Sequence, residues 1–172
     1  MAIKLPEKLK GFALIVDSVG YAGRCTELTL PKLSRKFEEF RAGGMDRPVE
    51  IDMGGEKLEA DYTLTEYTPA IIEQWGLTTV NGLSTRFKGS VKADDVDGEE
   101  IPIEVVLKGR HRELDMGSWK AGDEATLKVS VAVSDYELIY GGKTLIKISA
   151  TGQEEVVGGV DRLASRRKNL GA

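Results

Sequence analysis

Apolar and polar residues alternate with a period of two along most of this chain, the mark of strands that bury one face. Phe12 to Val16 is a short apolar run closed by the turn-like cluster Asp17-Ser18-Val19-Gly20. Thr26 to Leu33 follows, with Leu28, Leu30 and Leu33 apolar. Pro31 removes a ladder donor there, so this segment is expected at a sheet edge or a bulge. In Ser34 to Arg41 the spacing of Phe37 and Phe40 suits a helix, but Ala42-Gly43-Gly44 would break it at once, which favours an extended segment. Pro48 to Met53 and Leu58 to Leu64 read as two arms of a hairpin about Gly54-Gly55. In the second arm Leu58, Ala60, Tyr62 and Leu64 share one side, and Glu59 and Asp61 the other.

Thr65 to Trp75 breaks the alternation. Thr68 can cap a helix, Pro69 suits its first position, and Ile71, Ile72 and Trp75 form one stripe ahead of the stop signal Gly76. One short amphipathic helix is expected there. Strand signals resume at Leu83 to Lys92, where Phe87 and Val91 alternate with Arg86, Lys88 and Lys92. The acidic turn Asp94 to Glu100, with Asp97-Gly98 inside it, leads to Ile101 to Arg112, whose Ile101, Ile103, Val105 and Leu107 share one side. These two segments are expected to pair.

Ala125 to Tyr140 is the longest strand candidate. Leu127, Val129, Val131 and Val133 have one parity, and Tyr136, Leu138 and Tyr140 the other. A switch near Ser134-Asp135 predicts a bulge, or a strand that crosses between sheets. Gly141-Gly142 then turns the chain into a partner strand, Lys143 to Ala150. Val160 to Leu170 reads as a helix, with Asp161 in its first turn, basic residues late, Gly171 past its end, and Leu163 and Leu170 spaced to dock on the sheet. The predicted fold is mainly β: a small antiparallel β-barrel or sandwich with a long protruding hairpin, one short inserted helix and a C-terminal helix.

The 172 residues suit one domain, 1–172, with no repeat or linker. Hydrophobic residues make up 41% and charged ones 30%, an ordinary globular balance. A net charge of −4 lacks the basic excess with which proteins grip phosphates, so loose passage of DNA is a better expectation than binding. Cys25 is the sole cysteine and reads as a small, semi-buried side chain, which fits a reducing compartment. The N-terminal segment has too short an apolar run for a signal peptide, and no run approaches the length of a membrane helix, so no membrane anchor is expected.

Catalytic constellations are thin. His111 is the only histidine, so no two-histidine metal site exists, and it reads as an exposed or partly buried strand-end residue. Nucleophile-elbow, phosphate-loop and dinucleotide fingerprints are missing. The acidic turn lacks calcium-loop spacing, and the basic run Arg162, Arg166, Arg167 and Lys168 reads as a solvated helix end or partner contact. Trp75, Trp119 and the tyrosines are dispersed over different elements and fit core or interface packing. No enzyme, cofactor or metal is expected. A monomeric β-sandwich carbohydrate-binding module using those aromatics is the alternative of a different class.

Several segments, in order, resemble the major tail tube protein of contractile-tailed phages and R-type bacteriocins. These are Glu27-Leu28-Thr29-Leu30-Pro31-Lys32-Leu33, Phe37-Glu38-Glu39-Phe40-Arg41-Ala42-Gly43-Gly44-Met45, Val49-Glu50-Ile51-Asp52-Met53-Gly54 and Phe87-Lys88-Gly89-Ser90. Leu107-Lys108-Gly109-Arg110-His111, Asp115-Met116-Gly117-Ser118-Trp119-Lys120-Ala121-Gly122 and Gly159-Val160-Asp161-Arg162-Leu163 complete the set. The resemblance implies a structural subunit, assembled in a bacterial cytoplasm, that forms hexameric rings stacked into the tube of a virion tail or bacteriocin particle. It implies sheath, baseplate and tube-terminator proteins as partners, with DNA passing the bore unbound or, in a bacteriocin, membrane puncture. A secretion-system tube is the nearest rival. It further suggests that a long hairpin from Lys36 to Tyr62 reaches a neighbouring protomer or ring. Phe37, Phe40, Arg41, Gly43, Gly44, Met45, Val49, Ile51 and Met53 are its inter-subunit candidates, and Glu59 and Asp61 its candidates for facing the lumen. The apolar arm residues either meet another copy or belong to the protomer's own core. Gly43-Gly44 is expected where the hairpin leaves the body.

Overall fold

A computed structural model describes residues 4–94 and 98–171. Asp95 and Asp97 of the acidic turn lie outside the described residues. Strands β1 (Lys8–Val16) and β2 (Val19–Gly20) are joined by Asp17 and Ser18, both at positive φ, 44° and 70°. That is the primed turn whose twist matches a hairpin. Asp17 anchors it, accepting from the Ser84 N–H and from Gln74 Nε2. Ser18 has no comparable tie, so Ser18→Gly should stabilise the fold by about 0.5–1 kcal/mol by relieving left-handed strain, read as a higher urea midpoint at unchanged m-value.

Strands β7 (Leu83–Lys92), β8 (Ile101–Asp115) and β9 (Leu127–Tyr140) form an antiparallel spine, with β1 laid on β7. β9 decides the architecture. It pairs with β8 along its length, but its other edge is divided between two partners. Leu127 to Val133 pair with β6 (Leu58–Leu64), and Asp135 to Tyr140 pair with β10 (Lys143–Ser149). Between them Ser134 is the extra residue of a bulge, because Lys108 faces Asp135 while Gly109 faces Val133. The parity switch predicted near Ser134-Asp135 is this bulge: Leu127, Val129 and Val131 are buried before it, and Ser134 itself and then Tyr136 are buried from it onward. One limb ends in β3 (Cys25–Thr29) on β6, the other in β11 (Glu154–Val157) and β12 (Val160–Asp161).

One buried cluster joins Leu14 of β1, Phe87 of β7, Leu107 of β8, Val129 of β9 and Tyr62 of β6. Strands four places apart share this core, so the sheet curls around it, sandwich-like, and among the described residues no ladder closes it into a barrel between β1 and β3. The remaining strands, β4 (Arg35–Phe40) and β5 (Val49–Gly55), pair among the described residues only with each other.

Several expectations need correction. Leu58 to Leu64 is no hairpin partner of Pro48 to Met53; it lies in the body, because burying Ala60, Tyr62 and Leu64 against β9 outweighs the short connection through Gly54-Gly55. The protruding hairpin is therefore β4–β5, not Lys36 to Tyr62. The first helix, α1 (Pro69–Ile72), is a single turn without a side-chain cap from Thr68; Ile71 is buried, but Trp75 is exposed. The second, α2 (Ala164–Leu170), starts later than expected, since Val160 and Asp161 pair with β11. Its end at Gly171, φ 72°, is as expected, but Leu170 is exposed rather than docked. Thr26 to Leu33 stops before Pro31 and is an edge strand, as the proline required.

Candidate assembly interface

β4 and β5 build an arm whose two faces follow from register. Phe40 opposes Val49, Glu38 opposes Ile51, Glu39 opposes Glu50 and Phe37 opposes Asp52. Opposed residues share a face and neighbours alternate. Phe40, Val49, Ile51 and Met53 thus form one apolar face, with Glu38 among them. Phe37 lies on the other face with Glu39, Glu50 and Asp52. These five apolar side chains are 46–53% exposed, so they are not part of the protomer's own core.

The tip closes on itself: Arg41 Nε donates to the Met45 carbonyl at 3.1 Å, and the Met45 N–H to the Ala42 carbonyl at 3.2 Å. Gly43 and Gly44 lie in this tip, with Gly44 at φ 88°, and not where the arm leaves the body. That bend belongs to Gly54, φ 110°. At the base Arg35 grips Asp52 and, on β11, Glu155, each at 2.6 Å. The Gly54 N–H and the Arg35 guanidinium hold Asp52 below the usual carboxylate range. A single guanidinium thus ties the arm's direction to the body. This clamp was not visible in the sequence, because Arg35 and Glu155 are distant along the chain.

A second apolar surface lies where the curled sheet fails to close. Leu9 and Phe12 of β1, Leu28 of β3 and the following Leu30 rim a groove of about 210 Å³ floored by Phe87, Gly89, Ile103 and Val105. Lys88 is its only charged lining residue. Among the described residues the outer edges of β1 and β3 carry no strand partner beyond the short β2. Only the alternation of Leu28 and Leu30 beside Pro31 hinted at this in the sequence.

Glu59 and Asp61 face away from the core, as their parity predicts. Lys57 and Arg112 hold Glu59 below its ordinary pKa, and Ser130 donates to Asp61. The same face carries Arg86, paired with Glu104 at 2.9 Å, and Arg110, which donates to the Thr78 carbonyl. His111 corrects its expectation: it is 6% exposed in the middle of β8, 3.1 Å from the Tyr62 hydroxyl, and its Nδ1 is buried without a partner. Burial lowers its pKa to about 4.

Trp119 is 78% exposed, and its ring centroid lies 6.1 Å from that of Tyr67, so these two aromatics are less dispersed than the sequence implied. Trp75 joins neither ring. Cys25 is half-buried, its thiol pushed up by burial. Among the described residues no group of three or more His, Cys, Asp or Glu could hold a metal ion, and no helix is long and apolar enough to cross a membrane.

Comparison with known proteins accords with this geometry. The chain is 36% identical over 170 residues to the tail tube protein of Escherichia phage P2, covering 97% of this chain and 98% of that one. It is 31% identical over 146 residues to the major tail tube protein of Serratia phage KSP20, covering 84% and 83%. The fold is shared, at 12% identity, with two cryo-EM structures of an extracellular contractile injection system, PVC. One is its sheath/tube terminator (TM-score 0.58, covering 80% of this chain and 99% of that one); the other is a chain of its sheath-tube complex in the extended state (0.55; 74% and 86%). Residues 6–171 match the phage tail tube protein FII family, and a chain so matched, with an arm and an open groove its own body leaves uncovered, belongs to that family.

Proposed function

We propose that this tail tube subunit assembles into hexameric rings stacked as the inner tube of a contractile virion tail, the chain acting as one unit and catalysing no reaction. The observation that carries this reading is an arm whose apolar side chains stay exposed, attached to a sheet in which, among the described residues, β3 and most of β1 have no strand partner on their outer edges. Unpaired edges and exposed apolar faces are assembly templates, and a closed ring satisfies them with copies of the same surface. Phe40, Val49, Ile51 and Met53 are the arm's inter-subunit contacts. Arg41, Gly43, Gly44 and Met45 shape its tip, and Phe37 serves a contact on the opposite face.

Glu59 and Asp61 line the bore in this reading, supported by their position on the face away from the core. Their carboxylates, together with ion-paired Arg86 and Arg112, give a wall of weak net charge along which DNA passes without being held. The outside of the tube meets the sheath, and its ends meet baseplate and terminator proteins. The relatives favour a phage tail over a bacteriocin or secretion tube, and with it assembly in the host cytoplasm.

Purified protein should form rings and tubes in negative stain, and Ile51→Asp, which places a charge on the apolar face, should raise the critical concentration at least tenfold. A strictly monomeric wild-type protein at high concentration, across a range of salt, would overturn the reading.

A further inference from the structure

We infer that Asn81 is a self-modification site, at which the chain converts its own asparagine to aspartate and isoaspartate through the backbone nitrogen of Gly82. The chemistry needs only water and does not depend on the tube reading above.

The chain has two asparagines, Asn81 and Asn169, and only Asn81 is followed by glycine. The Gly82 nitrogen, giving its proton to a solvent base, attacks the Asn81 side-chain carbonyl carbon, Cγ. A Cγ–N bond forms and the Cγ–Nδ2 bond breaks. The departing amide nitrogen takes a proton from solvent and leaves as ammonia, and a five-membered succinimide remains. Water then adds to one of its two ring carbonyls. Opening on one side restores an ordinary backbone with aspartate in place of Asn81. Opening on the other carries the main chain through Cβ and Cγ, which is isoaspartate. Glycine matters because no Cβ shields the attacking nitrogen and its backbone turns readily toward the side chain.

The fold leaves this pair within reach of solvent. Asn81 and Gly82 end a stretch, exposed from Leu77 onward, that links α1 to β7. The Gly82 N–H donates to the Thr79 carbonyl at 3.3 Å, beyond the usual range for such a bond, so the nitrogen is weakly held. The Arg110 guanidinium anchors the stretch at the Thr78 carbonyl, 3.0 Å away and upstream of the pair. Exposed turns with few hydrogen bonds open at small cost, and opening is what the attack requires. Asn169 has neither advantage: it lies in α2 and precedes Leu170, whose Cβ crowds the nitrogen.

Position also decides what the product does. Directly after Gly82, Leu83 is fully buried opposite Gly109, and the Ser84 N–H is held by Asp17 at 3.0 Å. β7 therefore cannot shift to absorb the extra backbone methylene of isoaspartate. The strain falls on the Thr79–Gly82 turn and on the single helical turn before it. Both products add a negative charge, and in a particle whose subunits are not renewed the change accumulates with age.

The test holds the full chain in warm, mildly alkaline buffer, digests it with trypsin, and weighs and separates the peptides. Cleavage after Lys57 and Arg86 isolates Leu58 to Arg86, in which Asn81 is the only asparagine. Conversion of that peptide to two acidic isomers, at least tenfold faster than conversion of Asn169, is expected. Gly82→Ala should slow it at least tenfold. A Cβ there would stand 3.2 Å from Thr79 Cβ, so melting curves check that this variant folds. Asn81→Gln, whose longer side chain must close a larger ring, is the second variant, and its peptide should stay unchanged over the same period. A folded chain that keeps Asn81 intact while the urea-unfolded chain converts overturns the inference, as does a Gly82→Ala chain that converts as fast as wild type. Neither result bears on whether the subunit assembles.

Discussion

Gly109→Ala should abolish soluble folding or cost at least about 3 kcal/mol, because the site has no room for one methyl group. A Cβ built on Gly109 would stand 2.1 Å from the Ala132 carbonyl oxygen and 3.0 Å from its carbonyl carbon. Both belong to the backbone of the central ladder, so no side chain can swing aside. The crowding comes from the Ser134 bulge, which draws β9 toward β8 where Gly109 faces Val133. The Ser134 hydroxyl, 3.1 Å from the Lys108 carbonyl, and the Ala150 N–H, 3.0 Å from the Ser134 carbonyl, hold the bulge in place. Relieving the clash would therefore mean undoing the point at which β9 passes from β6 to β10. The measurement is urea unfolding of Gly109→Ala beside Gly11→Ala, whose Cβ meets nothing within 4 Å. Comparable midpoints for the two variants would refute the account.

Acid should remove on the order of 3 kcal/mol of stability between pH 6.5 and pH 4 through His111 alone. Burial holds the imidazole neutral in the fold, with a pKa lowered from 6.5 to about 4. The unfolded chain takes up a proton near pH 6.5 and the folded chain does not until about pH 4. The stabilisation is thus full above pH 6.5 and is lost as pH falls through this window. The carboxylates held below their ordinary values, Asp52, Glu59, Asp94 and Asp161, lose their contribution at lower pH, so the two effects separate. Urea unfolding of an assembly-blocked Ile51→Asp chain, followed from pH 7 to pH 4, measures the slope. Adding His111→Gln should flatten it over this window, and an unchanged slope would show that another group carries it.

Elements with a strong local pattern were legible. Leu83 to Lys92 is a strand over that whole range, and the parity change at Ser134-Asp135 foretold the bulge before any partner of β9 was known. Asp17-Ser18 and Gly141-Gly142 are turns because their residues accept positive φ or are tied by a side chain. The short strand β12 was hidden by a helix-like run, since two residues are too few to show a period. The arm's apolar residues were recognised as a group, but their division into two faces was not. That division depends on which residue of β4 opposes which of β5, and a bulge beyond Phe37 shifts the count.

By itself the sequence determined where strands run, which side of most of them is apolar, and where the chain must turn, because these are periods and torsional preferences along one dimension. Only the tertiary structure decided that Leu58 to Leu64 pairs with β9 and not β5, that His111 is buried against Tyr62, and that Gly109 has no room for a methyl group. Alternation says that a strand has a buried side and leaves open which strand lies beside it. Burial of the core makes that choice, through contacts between residues far apart in the chain.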